Sequence, residues 1–288
     1  METLKNAIVE WLKEMLTSGI VSNLTNIFAD VNTQVGSIAT QVGQNPASFN
    51  SGVFGMIRSI SETVIMPVAG IILTFIACYE LIQMIIGHNN MNQFEPVMIY
   101  KWVFKTAISV LIITNTFDIV LGIFDLAQSV IHRSGGLIQS NTAISDLDIA
   151  HVLTVLSTMD VGPMIGLWLQ SAILQLGMKI MSVLVFIIVY GRMIEIYMTV
   201  SLAPLPFATF GNRDWSQIGQ NYLKSMIALA FQGFLILICV GIYAVLIQTI
   251  TVSDDLVSSL WMIMGYTVLL CFTLLKTGGL AKSVFAAH

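Results

Sequence analysis

Four charged residues stand inside apolar stretches of this chain: Glu80, Asp118, Asp125 and Lys179. A charge at the centre of a membrane span costs about 2.5–3.5 kcal/mol, so such residues face a bundle interior or a wet cavity and mark function by default. Counting about 1.5 Å per residue from the outer end of each stretch puts Glu80 at ~25 Å, Asp118 at ~20 Å and Lys179 at ~24 Å. At these matched depths Lys179 is expected to pair with Glu80 or Asp118. Such a pair could fix helix register, carry protons or ions, or line a water-filled cavity. Thr114, Asp118, Asp125 and Gln128 recur at steps of four, seven and three, which puts them on one helical face. Ser171, Gln175 and Ser182 repeat the pattern more weakly beside Lys179. Such faces suit a bundle interior, an oligomer seam or a lumen better than lipid, although plain interhelical hydrogen bonding accounts for them as well.

Pro204 and Pro206 are the other chemically pointed feature. They interrupt the apolar run 193–210. Two prolines two apart remove two backbone donors and break a helix. Inside hydrocarbon, such a break survives only where protein or water satisfies the freed carbonyls. The run is expected to be a broken or re-entrant element, with a sixth span as the alternative. Nothing else points to catalysis or to a cofactor. The four histidines show no ligand spacing, and the three cysteines, Cys78, Cys239 and Cys271, lie in apolar runs without a CxxC pair. No phosphate-binding loop, nucleophile elbow or zinc-protease motif occurs. No enzyme activity, metal or cofactor is expected.

The elements that must hold these residues follow from composition. Of 288 residues, 56% are hydrophobic and only 10% are charged. Soluble domains carry about 25% charged residues, so a solvated globule is excluded, and so is a disordered chain. Apolar stretches at 63–87, 97–131, 163–191, 223–250 and 257–277 each meet the requirement of roughly 20 residues for a span. Pro67 and Pro163 sit in first turns, where a missing N–H matters little. Gly162 and Gly166 form one small-xxx-small match, a weak sign of close helix contact. Residues 3–29 read as an amphipathic helix, with Leu4, Ile8, Trp11, Leu12, Met15 and Leu16 on one side. It is expected to lie on a membrane surface or a partner, or to pack against its own membrane domain. Residues 30–52 read as a polar linker, and 51–62 as a short helix entering the membrane. The fold expected is all-α: a polytopic membrane bundle of about five spans with a Pro-broken re-entrant piece. It comprises an N-terminal segment, 1–62, and a transmembrane domain, 63–288.

Charge sets the expected topology. No cleavable signal or transit peptide is legible, since Glu2, Glu10 and Glu14 interrupt the start and the first Arg is Arg58. Basic residues favour the cytoplasmic side. Five spans put Lys101, Lys105, Arg192, Arg213, Lys224, Lys276 and Lys282 on that side, against Lys5, Lys13, Arg58 and Arg133 opposite. The N-terminus is then outside and the C-terminus in the cytoplasm. The formal charge of −4 and the lack of a basic run give independent nucleic-acid binding little support.

Ile196 to Trp215 carries a resemblance. Ala203-Pro204-Leu205, Phe207-Ala208-Thr209-Phe210, Arg213 and Trp215 resemble the most recognisable stretch of the TrbL-like channel subunits of type IV secretion, or conjugative transfer, systems. Phe54-Gly55-Met56-Ile57-Arg58-Ser59, Thr63 to Gly70 and Cys78-Tyr79-Glu80-Leu81-Ile82 are similar to a branch carried on integrative elements of Gram-positive bacteria. So are Lys101-Trp102-Val103-Phe104-Lys105 and Thr114-Asn115-Thr116-Phe117-Asp118. The resemblance implies an integral subunit of the cytoplasmic membrane that helps DNA or protein cross, with ATPase and scaffold partners and copies of itself. DNA would be a translocated substrate. From the residues alone, an ion or small-molecule transporter built on Glu80, Asp118 and Lys179 stands as the alternative, as does a purely structural assembly protein.

Overall fold

In an apolar layer only a helix satisfies its own backbone, and helix is the regular structure this sequence adopts. The computed structural model describes residues 2–86, 96–139, 149–248 and 256–287. In order these hold α1 (Glu2–Val42), α2 (Pro46–Phe49), α3 (Ser51–Ile60), a π-turn (Ser61–Ile65), α4 (Met66–Ile86), α5 (Pro96–Thr114) and α6 (Thr116–Gln139). They continue with α7 (Ile149–Thr158), α8 (Val161–Ser201), α9 (Pro204–Ala208), α10 (Ser216–Gln248) and α11 (Leu256–Val284). Five stretches are long and apolar enough to cross a membrane: Ser51–Ile86, Val97–Thr114, Val161–Ala208, Ser216–Gln248 and Val257–Val284. The protein is an all-α polytopic membrane bundle, as composition requires. Its contacts divide it into two compact units.

The first unit comprises residues 1–42, 132–189 and 235–276. Its core is organised by α1. Leu16, Ile20, Leu24, Ile27, Val31, Ile38 and Val42 are all buried at steps of three, four or seven. They pack with Val152 and Leu156 of α7 and with Met164, Leu174 and Met178 of α8. Residues 30–42, expected as linker, are therefore helix. Their Thr, Gln and Ser content lies mostly on the outer face, and the apolar stripe overrides local propensity. Of the alternatives open for the N-terminal helix, its second half takes the internal one. Its first half leaves Leu4, Trp11 and Met15 exposed.

The polar echo of α8 finds its partners on α1. Asn23 Nδ2 donates to Ser171 Oγ at 3.0 Å. Ser182 lines a small cavity of about 170 Å³ with Asp30, Gln34, Ser37 and Gln41. Gln175 is half-buried in the same helix. Gly162 and Gly166, by contrast, have open space where a side chain would stand, so they mark no close contact.

The second unit comprises residues 43–131, 190–234 and 277–288. Asn45 caps α2 through Ala47 N at 2.9 Å, and Asn50 caps α3 through Val53 N at 3.0 Å. Helix then runs without interruption from Ser51 to Ile86, across the boundary expected at 62/63. The π-turn lies just before Pro67, where the i→i−4 ladder must loosen because proline offers no N–H. Expected span 97–131 is divided. Leu111 O receives Asn115 N at 3.1 Å, Asn115 Nδ2 at 2.7 Å and Thr114 Oγ1 at 3.1 Å. Thr116 Oγ1 also donates to Ile113 O at 2.7 Å. Three successive polar side chains compete for carbonyls of one turn, which bends a helix.

Below that bend α6 is amphipathic. Phe117, Val120, Phe124 and Ala127 are buried, which turns Asp118 and Asp125 outward. Of the surroundings expected for the stripe, the interior of this chain's own bundle is ruled out: Thr114 stands on α5, and both aspartates are exposed.

These assignments predict a contrast within α1. Leu24→Ala should lower the stability of the purified protein by about 2–5 kcal/mol, the range for truncating a buried leucine. Leu4→Ala, at an exposed position, should leave the thermal unfolding curve in detergent unchanged.

Candidate functional site

The site lies in the second unit, where the broken helix meets α4 and α5. Of 193–210, residues 193–201 continue α8, and the break begins at Leu202. Pro204 opens the single turn α9, a position where its missing N–H would have no intrahelical partner. Pro204, Phe207 and Ala208 are buried. Ala208 packs with Ala69 and Leu73 of α4 and Ile113 of α5. Phe207 meets Phe210 at 5.4 Å and Tyr222 at 5.5 Å between ring centroids.

The freed backbone is satisfied locally. Thr209 Oγ1 donates to Pro206 O at 2.7 Å and accepts Gly219 N at 3.1 Å. Gly219 is required there, since a Cβ would stand 2.8 Å from Pro206 O. Gly211 lies so close to Ser109 of α5 that a Cβ would stand 3.4 Å from Ser109 Cβ. Asn212, buried, accepts Asp214 N at 2.8 Å through Oδ1 and leads into α10. The segment is a corner stapled onto α5 and α10. It adds no membrane-length helix beyond the stretch Val161–Ala208.

A cavity of about 620 Å³ opens beside this corner. Its lining includes Glu80 of α4, Lys101, Trp102 and Lys105 of α5, and Arg213 and Asp214 of the connection to α10. Trp102 Nε1 donates to Ala77 O at 3.1 Å, which ties α5 to α4. Lys105 Nζ forms an ion pair with Glu80. This corrects the expected partner of Glu80. Lys179, the partner suggested by depth, is an exposed residue of the first unit. Depth counting fixed a level but not an azimuth, and the α4–α5 packing supplies a cation from the nearer helix. Asp118 has an exposed position close to Arg58, whose guanidinium lies 5.7 Å from the Phe117 ring centroid and bonds Glu62 at 2.7 Å. Asp125 accepts a hydrogen bond from Asn45, and Gln128 is half-buried and engaged.

Arg192, a topology marker by its sequence position, is buried in the second unit. Arg192 is 5% exposed, and its Nη2 donates to Leu229 O at 3.3 Å. Its Nε and Nη1 reach no acceptor among the described residues. Nearby in sequence, Glu195 pairs with Lys282 at 3.2 Å. A lone arginine within an apolar run was the available signal.

Two substitutions test this geometry. Lys105→Met should destabilise the protein by about 1–2 kcal/mol, between the values for exposed and buried pairs, because the pair is partly exposed. Adding Glu80→Gln should recover much of that loss in thermal unfolding, while Lys179→Met alone should change nothing. Gly219→Ala should cost about 1–3 kcal/mol by overpacking, because the atom it meets is backbone.

The family model described as TrbL/VirB6 plasmid conjugal transfer like protein matches residues 31–204. No curated protein and no solved structure matches the chain significantly. The matched region covers more than half of the sequence and runs from the buried half of α1 to the first proline of the corner. The chain belongs to the TrbL/VirB6 plasmid conjugal transfer-like family.

Proposed function

We propose that this protein is an integral subunit of a conjugative type IV secretion apparatus and contributes to the channel that carries DNA or protein across the cytoplasmic membrane. The carrying observation is the family match over residues 31–204 in a chain with five membrane-length helices. The corner supports the reading. A helix broken by two prolines, with Pro206 O bonded by Thr209 Oγ1 and with Gly211 and Gly219 closely fitted to their neighbours, is a built element and not a chance kink. Its partners would be the secretion ATPases, scaffold subunits and further copies of this chain. No catalytic role is proposed. The transporter reading has less support, because Glu80 pairs with Lys105 instead of Lys179 and Asp118 stands near Arg58.

The topology proposed keeps the N-terminus outside and the C-terminus in the cytoplasm. Lys101, Lys105 and Arg213 line one cavity, which supports placing them on one side. In a cysteine-free background, a cysteine added within 141–150 should react with an impermeant thiol reagent on intact cells. Gln217→Cys, at an exposed site next to the corner, should not. Labelling at position 217 would reverse the assignment.

Function is tested by a Pro204→Ala/Pro206→Ala strain in a mating assay. Transfer of a marked element should fall sharply while the amount of protein in the membrane fraction holds. Normal transfer at normal protein level would reduce the corner to a simple turn between helices.

A further inference from the structure

We propose that the cavity between α4, α5 and the corner binds the anionic headgroup of a membrane phospholipid. Three cations and two carboxylates line it: Lys101, Lys105 and Arg213 against Glu80 and Asp214. Lys105 and Glu80 engage each other. Lys101 and Arg213 are exposed and have no ion-pair partner among the described residues. Among the described residues the site therefore offers two uncommitted donors and an excess of one positive charge, which matches a phosphodiester monoanion. A guanidinium and an ammonium are the groups that hold phosphate oxygens.

The position of the cavity identifies the source of the phosphate. Glu80 lies about 9 Å from the end of α4 and Lys101 about 8 Å from the start of α5, by rise per residue. Arg213 lies just before α10. The cavity is thus at the ends of membrane helices, where headgroups lie. Trp102 lines the cavity, and Tyr100 and Trp215 adjoin its residues Lys101 and Asp214 in sequence; such aromatics mark the membrane–water interface. Beside them, Phe75, Val97 and Phe104 are exposed apolar residues able to meet acyl chains. A charged pocket with an aromatic rim and an apolar wall fits an amphiphile better than a free ion or an extended polynucleotide. The proposal is independent of the transfer reading: it is read on the purified chain, transfer in cells.

Full-length protein in a neutral detergent is titrated with phosphatidylglycerol or phosphatidylcholine. Binding is followed by native mass spectrometry and by the shift in unfolding temperature. Phosphatidylglycerol should be retained and should raise the unfolding temperature, and phosphatidylcholine should do neither. Lys101→Gln with Arg213→Gln should weaken phosphatidylglycerol binding roughly thirtyfold, at about fivefold per basic residue. Lys224→Gln, outside the cavity, should leave it intact, and so should the charge-keeping pair Lys101→Arg with Arg213→Lys. Equal retention of the two lipids, or an unchanged affinity in the double glutamine variant, would overturn the proposal. An equal shift with inorganic phosphate alone would assign the site to free phosphate. Displacement of the lipid by a short single-stranded oligonucleotide would assign it to nucleic acid. If the double variant does not fold, the comparison of the two lipids on the native chain still decides.

Discussion

Backbone N–H and C=O groups inside an apolar layer have no water to turn to, and the whole architecture follows from where they are satisfied. Helix answers the question over most of the described chain. Two interruptions among the described residues show it answered differently. At Thr114–Thr116, side-chain hydroxyl and amide groups return to carbonyls of the preceding turn. At Leu202–Asn212, the answer is tertiary. Thr209 bridges Pro206 O and Gly219 N, Asn212 Oδ1 accepts Asp214 N in the turn before α10, and two glycines let backbone approach α5 and α10. Because the corner is fitted into protein on two sides, its shape fixes where Arg213 and Asp214 stand, and so fixes one wall of the charged cavity.

The cavity joins pieces that are far apart in sequence. Glu80 comes from the end of one long helix, Lys101 and Lys105 from the start of the next, and Arg213 from beyond the corner. Each falls in a sequence patch that carried the resemblance to conjugative channel subunits. Family likeness and spatial convergence therefore identify the same region by different routes. Buried Arg192, which bonds the carbonyl of Leu229, adds a cation to the second unit without a carboxylate partner in the described residues. Removing half of such an arrangement is damaging because it strands buried donors.

How far the sequence could be read divides along physical lines. Helical class and five spans rest on composition and hydropathy, which are properties of local windows. The proline break was legible for the same reason, because proline acts on its own backbone. The true extent of α1 was not. Val31, Ile38 and Val42 look like isolated apolar residues in a polar stretch until the stripe from Leu16 is carried through in register. The ion-pair partner was also out of reach. Depth along a helix is countable, but whether Lys105 or Lys179 faces Glu80 depends on how helices rotate and pack. Its place at the start of a span makes Lys105 a marker of the membrane boundary, and it is the residue that completes the pair.

The central claim is that the proline corner is seated in protein against α5, with Pro204, Phe207, Ala208 and Asn212 buried. Disulfide cross-linking in native membranes tests it most directly. In a cysteine-free background, Ser109→Cys with Gly211→Cys should place two Cβ atoms about 3.4 Å apart, close to the 3.5–4.5 Å range of a disulfide. Mild oxidation should then join the pair rapidly, whereas Leu111→Cys with Gly211→Cys, using an exposed position of the same helix, should stay reduced. Failure of the first pair to join, or equal joining of both, would contradict the seating of the corner on which the charged cavity depends.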